Sequence, residues 1–132
     1  MNNEEFAEFL FPDIKNTPDY YEEKYPQREL PDKAEVTRIG PSPTGFIHLG
    51  NLYSAMAGER LAHRSGGVFY LRIEDTDNKR KVEGAVESVI SSLDYFNIRF
   101  DEGAEVDRQA GNTCYGPFYQ RQRAEVYQTF VK

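Results

Sequence analysis

The sequence contains a single cysteine, Cys114, and no apolar run long enough to span a membrane. One thiol can neither close an intrachain disulfide nor build a cysteine-cluster metal site, so a reducing, cytoplasmic setting is expected. The N-terminus, MNNEEFAEFLF, is acidic and lacks the apolar core of a secretion signal or spanning helix, so no membrane partner is expected. Neither G-x-x-x-x-G-K-[ST] nor G-x-G-x-x-G occurs, which sets aside the two commonest phosphate-binding loops. A basic excess is also missing: the net charge is −6, and composition alone shows no nucleic-acid footprint. Internal repeats and low-complexity tracts are absent.

What is present fits one globular domain with an appendage. The chain has 132 residues, about one domain's length, and its 9 Phe and 9 Tyr argue against disorder throughout. Residues 1–33 hold nine acids and four bases, whereas residues 34–132 hold thirteen and twelve, so nearly all the net charge sits in the first segment. That segment reads as an aromatic, acidic arm. Phe6, Phe9 and Leu10 share a helical face that Pro12 ends, and a second short helix is expected around Asp19–Lys24 between Pro18 and Pro26. Its tyrosines are expected to pack against the main domain or a neighbouring chain.

Residues 34–132 alternate strand and helix. A strand is expected at 35–40, followed by the PSPTG turn cluster. A helix then runs from about His48 to Ser65–Gly67, with Leu52, Ala55, Met56 and Leu61 on its apolar face. Val68–Glu74 has the β-branched and aromatic make-up of a buried parallel strand. DTDN reads as a turn and helix cap for a helix striped by Val82, Ala85, Val86, Val89, Ile90, Leu93 and Phe96. Residues 98–118 look irregular, with a short strand at Ile98–Phe100, and Arg121–Lys132 opens a last helix. This order predicts a parallel α/β unit with right-handed crossovers and a thin sheet, smaller than a complete doubly wound domain.

The loop between the first strand and first long helix is the best candidate site. In open parallel sheets, ligands bind beyond the carboxyl ends of the strands, where helix N-termini present free N–H groups. Gly45 and Gly50 let backbone approach a ligand, and His48 stands at the helix start, where its imidazole can donate to a phosphate oxygen. From spacing alone, a Pro/Gly turn with a capping or packing histidine is the more ordinary reading. An acidic turn such as Asp75–Asp77 is more often a helix cap than a metal site. Arg121 and Arg123 read as a solvated helix face or as cations that approach a phosphate-bearing ligand.

The literal residues go further. Arg38-x-Gly40-Pro41-Ser42-Pro43-Thr44-Gly45-x-x-His48-x-Gly50 resembles the first signature of the glutamate-type class I aminoacyl-tRNA synthetases, with His48-Leu49-Gly50-Asn51 at the place of its His-x-Gly-His-like tetrapeptide. Leu71-Arg72-Ile73-Glu74-Asp75-Thr76-Asp77 resembles the next strand end of that family. Tyr115-Gly116-Pro117-Phe118-Tyr119-Gln120-Arg121-Gln122-Arg123 resembles a later helix start. The three blocks keep the family's order and cover roughly residues 35–132.

The resemblance implies a partial Rossmann-like parallel sheet and a glutamate–tRNA ligase activity, in which glutamate and ATP give glutamyl-adenylate before transfer to tRNA. It implies that Arg38, Gly40, Ser42 and Glu74 bind glutamate. Arg38 would take the side-chain carboxylate and Glu74 the α-ammonium. Pro41, Thr44, Gly45, His48, Gly50 and Asn51 would bind ATP, with His48 and Asn51 carrying the catalytic roles and Gly50 leaving room for adenine. ATP enters as a substrate with Mg²⁺, and no protein-bound zinc is expected. A related tRNA-modifying branch that makes glutamyl-queuosine usually carries a cysteine-rich zinc site, and the single cysteine argues against it.

Three positions depart from the family pattern. Gly40 stands where Ala is common, Asn51 replaces the last His of the tetrapeptide, and Gln120-Arg121-Gln122 replaces Gln-Ser-x. The family's lysine-rich second signature does not occur in the 132 residues, so the chain is expected to be an N-terminal part that makes no adenylate alone. The alternative is a non-catalytic binding or assembly module, with self-association through the arm or through apolar surface.

Overall fold

The structure is a computed structural model that describes residues 2–104 and 114–132. By internal contacts the chain divides into two units, Met1–Arg28 with Gln122–Lys132, and Glu29–Arg121.

The larger unit carries a three-stranded parallel sheet, β1 (Val36–Ile39), β2 (Val68–Leu71) and β3 (Glu102–Gly103), in that order. Val36 pairs with Val68 and Ile39 with Leu71, and on the other side Leu71 pairs with Gly103. Parallel neighbours need long crossovers, supplied here by α3 (Leu49–Ser65) and α4 (Ala85–Tyr95), numbered after the two helices of the smaller unit. The core is Phe69, Leu71, Ile73 and Leu93, all at most 1% exposed, with Val89, Ile98 and Phe100 around them. Backbone pairing runs past β2: Arg72 N donates to Ile39 O at 3.0 Å, Glu74 N to Pro41 O at 2.9 Å, and Ile73 bridges Tyr119 in parallel. The expected strand to Glu74 is therefore real as paired backbone, although its regular ladder stops at Leu71.

Helix α3 lies on the sheet through its small residues. Ala55 and Ala62 are fully buried, and a methyl at Gly58 would sit 3.3 Å from the Phe69 ring. Met56 and Leu61, expected on the apolar face, are exposed. The buried face is set by what fits closely against Phe69, and small residues fit better than long ones. The helix ends at Gly66 in the left-handed conformation (φ 73°), with Gly67 N donating to Ala62 O at 2.8 Å.

Two further expectations need correction. Val82 and Phe96 lie outside α4 and are exposed, because Asp77 caps a separate 3₁₀ turn at Asn78–Arg80 and Gly84 starts α4 with φ 77°. The third strand is Glu102–Gly103 rather than Ile98–Phe100. Ile98 and Phe100 are buried, but Asp101 begins the pairing: its N donates to Phe69 O at 2.8 Å and its carboxylate accepts Phe69 N–H at 2.8 Å. Much of the irregular 98–118 stretch, at 105–113, lies outside the described residues.

The smaller unit holds α1 (Asn3–Leu10), α2 (Pro18–Lys24) and α5 (Ala124–Val131), the last preceded by a 3₁₀ turn at Gln120–Arg123. Asn2 and Glu5 form a reciprocal capping box on α1, whose apolar side chains remain exposed. Tyr21 is the buried centre of the unit, stacked on Tyr25 and 6.4 Å from the Phe130 ring. Asn16 Nδ2 donates to Glu125 Oε1 at 2.6 Å, and Lys132 Nζ lies 2.5 Å from Glu8 Oε2. The aromatic arm thus has its partner in the last helix of the chain. No helix among the described residues is long and apolar enough to cross a membrane.

Candidate functional site

Two clusters of side chains lie at and just beyond the carboxyl ends of β1 and β2. The first is ionic. Arg38, the third residue of β1, reaches Glu74 beyond the end of β2, with Nη1 2.9 Å from Oε1. Arg72 Nη2 donates to the same oxygen at 3.0 Å. Arg72 and Glu74 are two residues apart on extended backbone and so share one face. Both groups of the Arg38–Glu74 pair are about a third exposed or more, at 42% and 32%, so ligand can reach them. Sequence reasoning missed Arg72. The signal was its i, i+2 spacing to Glu74.

The second cluster is the loop itself. Pro41, Ser42, Thr44, Gly45, His48 and Asn51 line one cleft of about 240 Å³, together with Phe46, Ile47 and Val89. Pro41 and Pro43 are buried and tied down from behind: Pro41 O accepts from Glu74 N and Pro43 O from Val82 N, each at 2.9 Å. Ser42 and His48 face outward from that anchored backbone and are exposed.

His48 is the N-cap of α3. Its Nδ1 accepts the Gly50 N–H at 3.1 Å, and Asn51 Oδ1 accepts the His48 N–H at 3.2 Å, a reciprocal capping box. An accepting Nδ1 carries no proton, so this cap assigns the ring proton to Nε2, a donor free to face a ligand. Gly50 makes room for the ring, since a methyl there would lie 3.0 Å from His48 Cε1. A methyl at Gly45 would meet nothing within 4 Å, and Gly45 borders open cleft.

The structure therefore gathers Ser42 and the expected ATP-binding residues other than Gly50 around the cleft, and Arg38, Gly40 and Glu74 at the ionic cluster. Asp75 Oδ1 accepts from Arg121 N at 2.9 Å, tying the third sequence block to the end of β2. Asp77 Oδ2 accepts from Arg80 Nε at 2.6 Å; that hydrogen bond, helped by the arginine's charge, holds the Asp77 carboxyl below its ordinary range against an opposing cost of desolvation. Among the described residues no three His, Cys, Asp or Glu side chains are grouped to hold a metal ion. Cys114 is exposed.

A parallel sheet thus carries this ionic cluster at its strand ends, next to a histidine-capped helix start. Consistent with that geometry, residues 35–132 match the family model for tRNA synthetases class I (E and Q), catalytic domain, and the chain belongs to that family. Within it, the chain is similar to proteins named glutamate–tRNA ligase. It is 59% identical to that of Acetivibrio thermocellus and 50% identical to that of Clostridium perfringens, over 100% of this chain and 24% of each relative. Among solved structures it resembles the glutamate–tRNA synthetase of Elizabethkingia anophelis (33% identity, TM-score 0.65, 75% of this chain and 19% of that one). It also resembles a glutamate tRNA ligase of Elizabethkingia meningosepticum in complex with its amino acid (34% identity, TM-score 0.64, 76% of this chain and 19% of that one). The chain thus spans about a quarter of the length of the curated relatives it matches.

Proposed function

We propose that the chain supplies the amino-acid and ATP contacts of a glutamate–tRNA ligase. The observation that carries this reading is the cluster of Arg38, Arg72 and Glu74 at the strand ends. Two cations and one anion are the inverse of glutamate's two carboxylates and one ammonium. Arg38 takes the side-chain carboxylate through its planar fork, and Glu74 takes the α-ammonium. Ser42 adds a hydroxyl to the same amino acid.

The glutamate α-carboxylate attacks the α-phosphorus of ATP, giving glutamyl-adenylate and pyrophosphate, and the glutamyl group then passes to the tRNA 3′ end. The loop Pro41–Asn51 holds ATP over the start of α3, where the positive end of the helix dipole favours phosphate. His48 Nε2–H donates to phosphate oxygens as charge builds up on them. Asn51 acts through His48, by fixing its backbone. Mg²⁺ arrives with the ATP phosphates. A cytoplasmic setting for the whole protein suits both the reaction on tRNA and the exposed Cys114 thiol.

Calorimetric titration of a non-hydrolysable glutamyl-adenylate analogue into the chain tests the proposal. Binding is expected, and it should disappear in Arg38→Ala. A folded chain that takes up no analogue overturns it. Glutamate-dependent pyrophosphate exchange is expected from the full-length protein and not from the 132 residues alone.

A second reading concerns the isolated chain. Phe46, Leu49 and Tyr53 are each more than two-thirds exposed at the start of α3. Apolar surface of this kind favours self-association, which sedimentation over a range of concentrations checks.

A further inference from the structure

The nearest groups above Gly40 are the charged ends of Arg38 and Glu74. A methyl group at this position would overlap Arg38 Nη1 and come within 2.5 Å of Glu74 Oε1 and 2.8 Å of its carboxyl carbon. The ion pair therefore closes directly over residue 40, and a residue without a side chain leaves it room. The groups that would be displaced are the free ends of two long, part-exposed side chains. The Gly40 backbone is also outside the positive-φ region. An alanine here is accommodated by parting the two charges, with no strain on the main chain.

Resting on the reading of this cluster as the amino-acid pocket, we propose that Gly40 is a positioning residue that sets the pocket's affinity, by letting Arg38 and Glu74 satisfy each other until an amino acid separates them. In the pair, each group occupies the place of the other's ligand. The guanidinium that would take a ligand carboxylate is on the Glu74 carboxylate, and the carboxylate that would take a ligand ammonium is on Arg38. Arg72, on the same Glu74 oxygen, keeps that carboxylate anchored when Arg38 leaves it. An incoming amino acid must first break the Arg38 contact, so part of its binding free energy goes into opening the pair. For an ion pair this exposed, the loss corresponds to about a two- to fivefold weaker apparent affinity.

The test is Gly40→Ala in the full-length protein, followed by glutamate-dependent pyrophosphate exchange with glutamate and ATP varied separately. The variant should unfold at nearly the same denaturant concentration as the parent, since no backbone strain is introduced. Its KM for glutamate should fall about two- to fivefold, with the KM for ATP moving less, a split that a general structural effect does not produce. An unchanged or raised glutamate KM in an active variant overturns this inference alone. Absence of exchange by the full-length parent overturns the functional reading and this inference with it.

Discussion

His48 and Asn51 cap the same helix in opposite directions: the His48 ring accepts from the backbone of the first turn, and the Asn51 side chain accepts from the backbone of His48. The last residue of the tetrapeptide thus has a structural task that an amide carries out without being a cation. Two roles of His48 can be separated on this basis. His48→Ala should cost about 1 kcal/mol of unfolding free energy in urea. His48→Asn, which keeps an acceptor at the N-cap, should recover most of that. In the full-length protein, however, His48→Asn should slow adenylate formation about a hundredfold, because its short amide does not reach where Nε2–H points. Equal activity for His48→Asn and the parent would remove the phosphate role.

Arg72 and Arg38 share one oxygen of Glu74, but Arg72 is the more buried of the two. Replacing Arg72 with Leu leaves Glu74 held by Arg38 alone, and in the proposed pocket Arg38 is the group that ligand takes away. The glutamate KM of the full-length protein should rise about tenfold, the size of one charge-assisted hydrogen bond. The comparison variant Arg72→Lys should recover part of the loss. A glutamate KM unmoved by Arg72→Leu would show that Glu74 needs no second anchor.

At the opposite end of the sheet, His63 joins two carboxylates. Its Nδ1 lies 3.2 Å from Glu59 Oε1 and its Nε2 lies 2.9 Å from Asp101 Oδ2. Glu59 is 3% exposed, and Arg60 Nη1, though 2.9 Å from its Oε2, is aligned for a hydrogen bond only to Oε1 at 3.2 Å. His63→Ala deprives this buried carboxylate of a partner and should destabilise the chain by about 1–3 kcal/mol in denaturant unfolding. Arg60→Ala, at an exposed guanidinium, should cost less than His63→Ala. The reverse order would show that Arg60 is the partner that matters.

Asp77 provides a pH signature. Its hydrogen bond to Arg80 holds the folded carboxyl below the ordinary aspartate value of 3.8. A depressed folded pKa stabilises the turn at pH above the ordinary value, and that contribution is lost as pH falls through the folded one. Carbon-detected NMR titration should therefore find the Asp77 midpoint below that of a free aspartate. In Arg80→Ala the midpoint should move back up. A midpoint insensitive to Arg80 would place the cause elsewhere.

Much of this was legible in the sequence because it depends on local rules. The β-branched run at Val68–Leu71 and the double glycine after Ser65 reveal β2 and the end of α3 without reference to anything distant. Met56 and Leu61 misled because helical periodicity cannot register that Phe69 comes too close for long side chains. Ile98–Phe100 misled because a short apolar run buries equally well with or without a ladder. At the site, His48 and the Pro41–Gly45 turn stand out in the sequence, whereas Arg72 becomes visible only once Glu74 is known to lie beside it.

By itself, the sequence determined the strand–loop–helix order, the position of the Pro/Gly loop and the identities of the charged groups at two strand ends, since each follows from residue types within a few positions. Only the tertiary structure decided what those groups do to one another. Parallel pairing of β1 with β2 brings residues 36 positions apart into contact, so that Arg38 and Glu74 neutralise each other over Gly40 and share an oxygen with Arg72. Such contacts depend on strand register and on one missing methyl group, and both are properties of the packed fold.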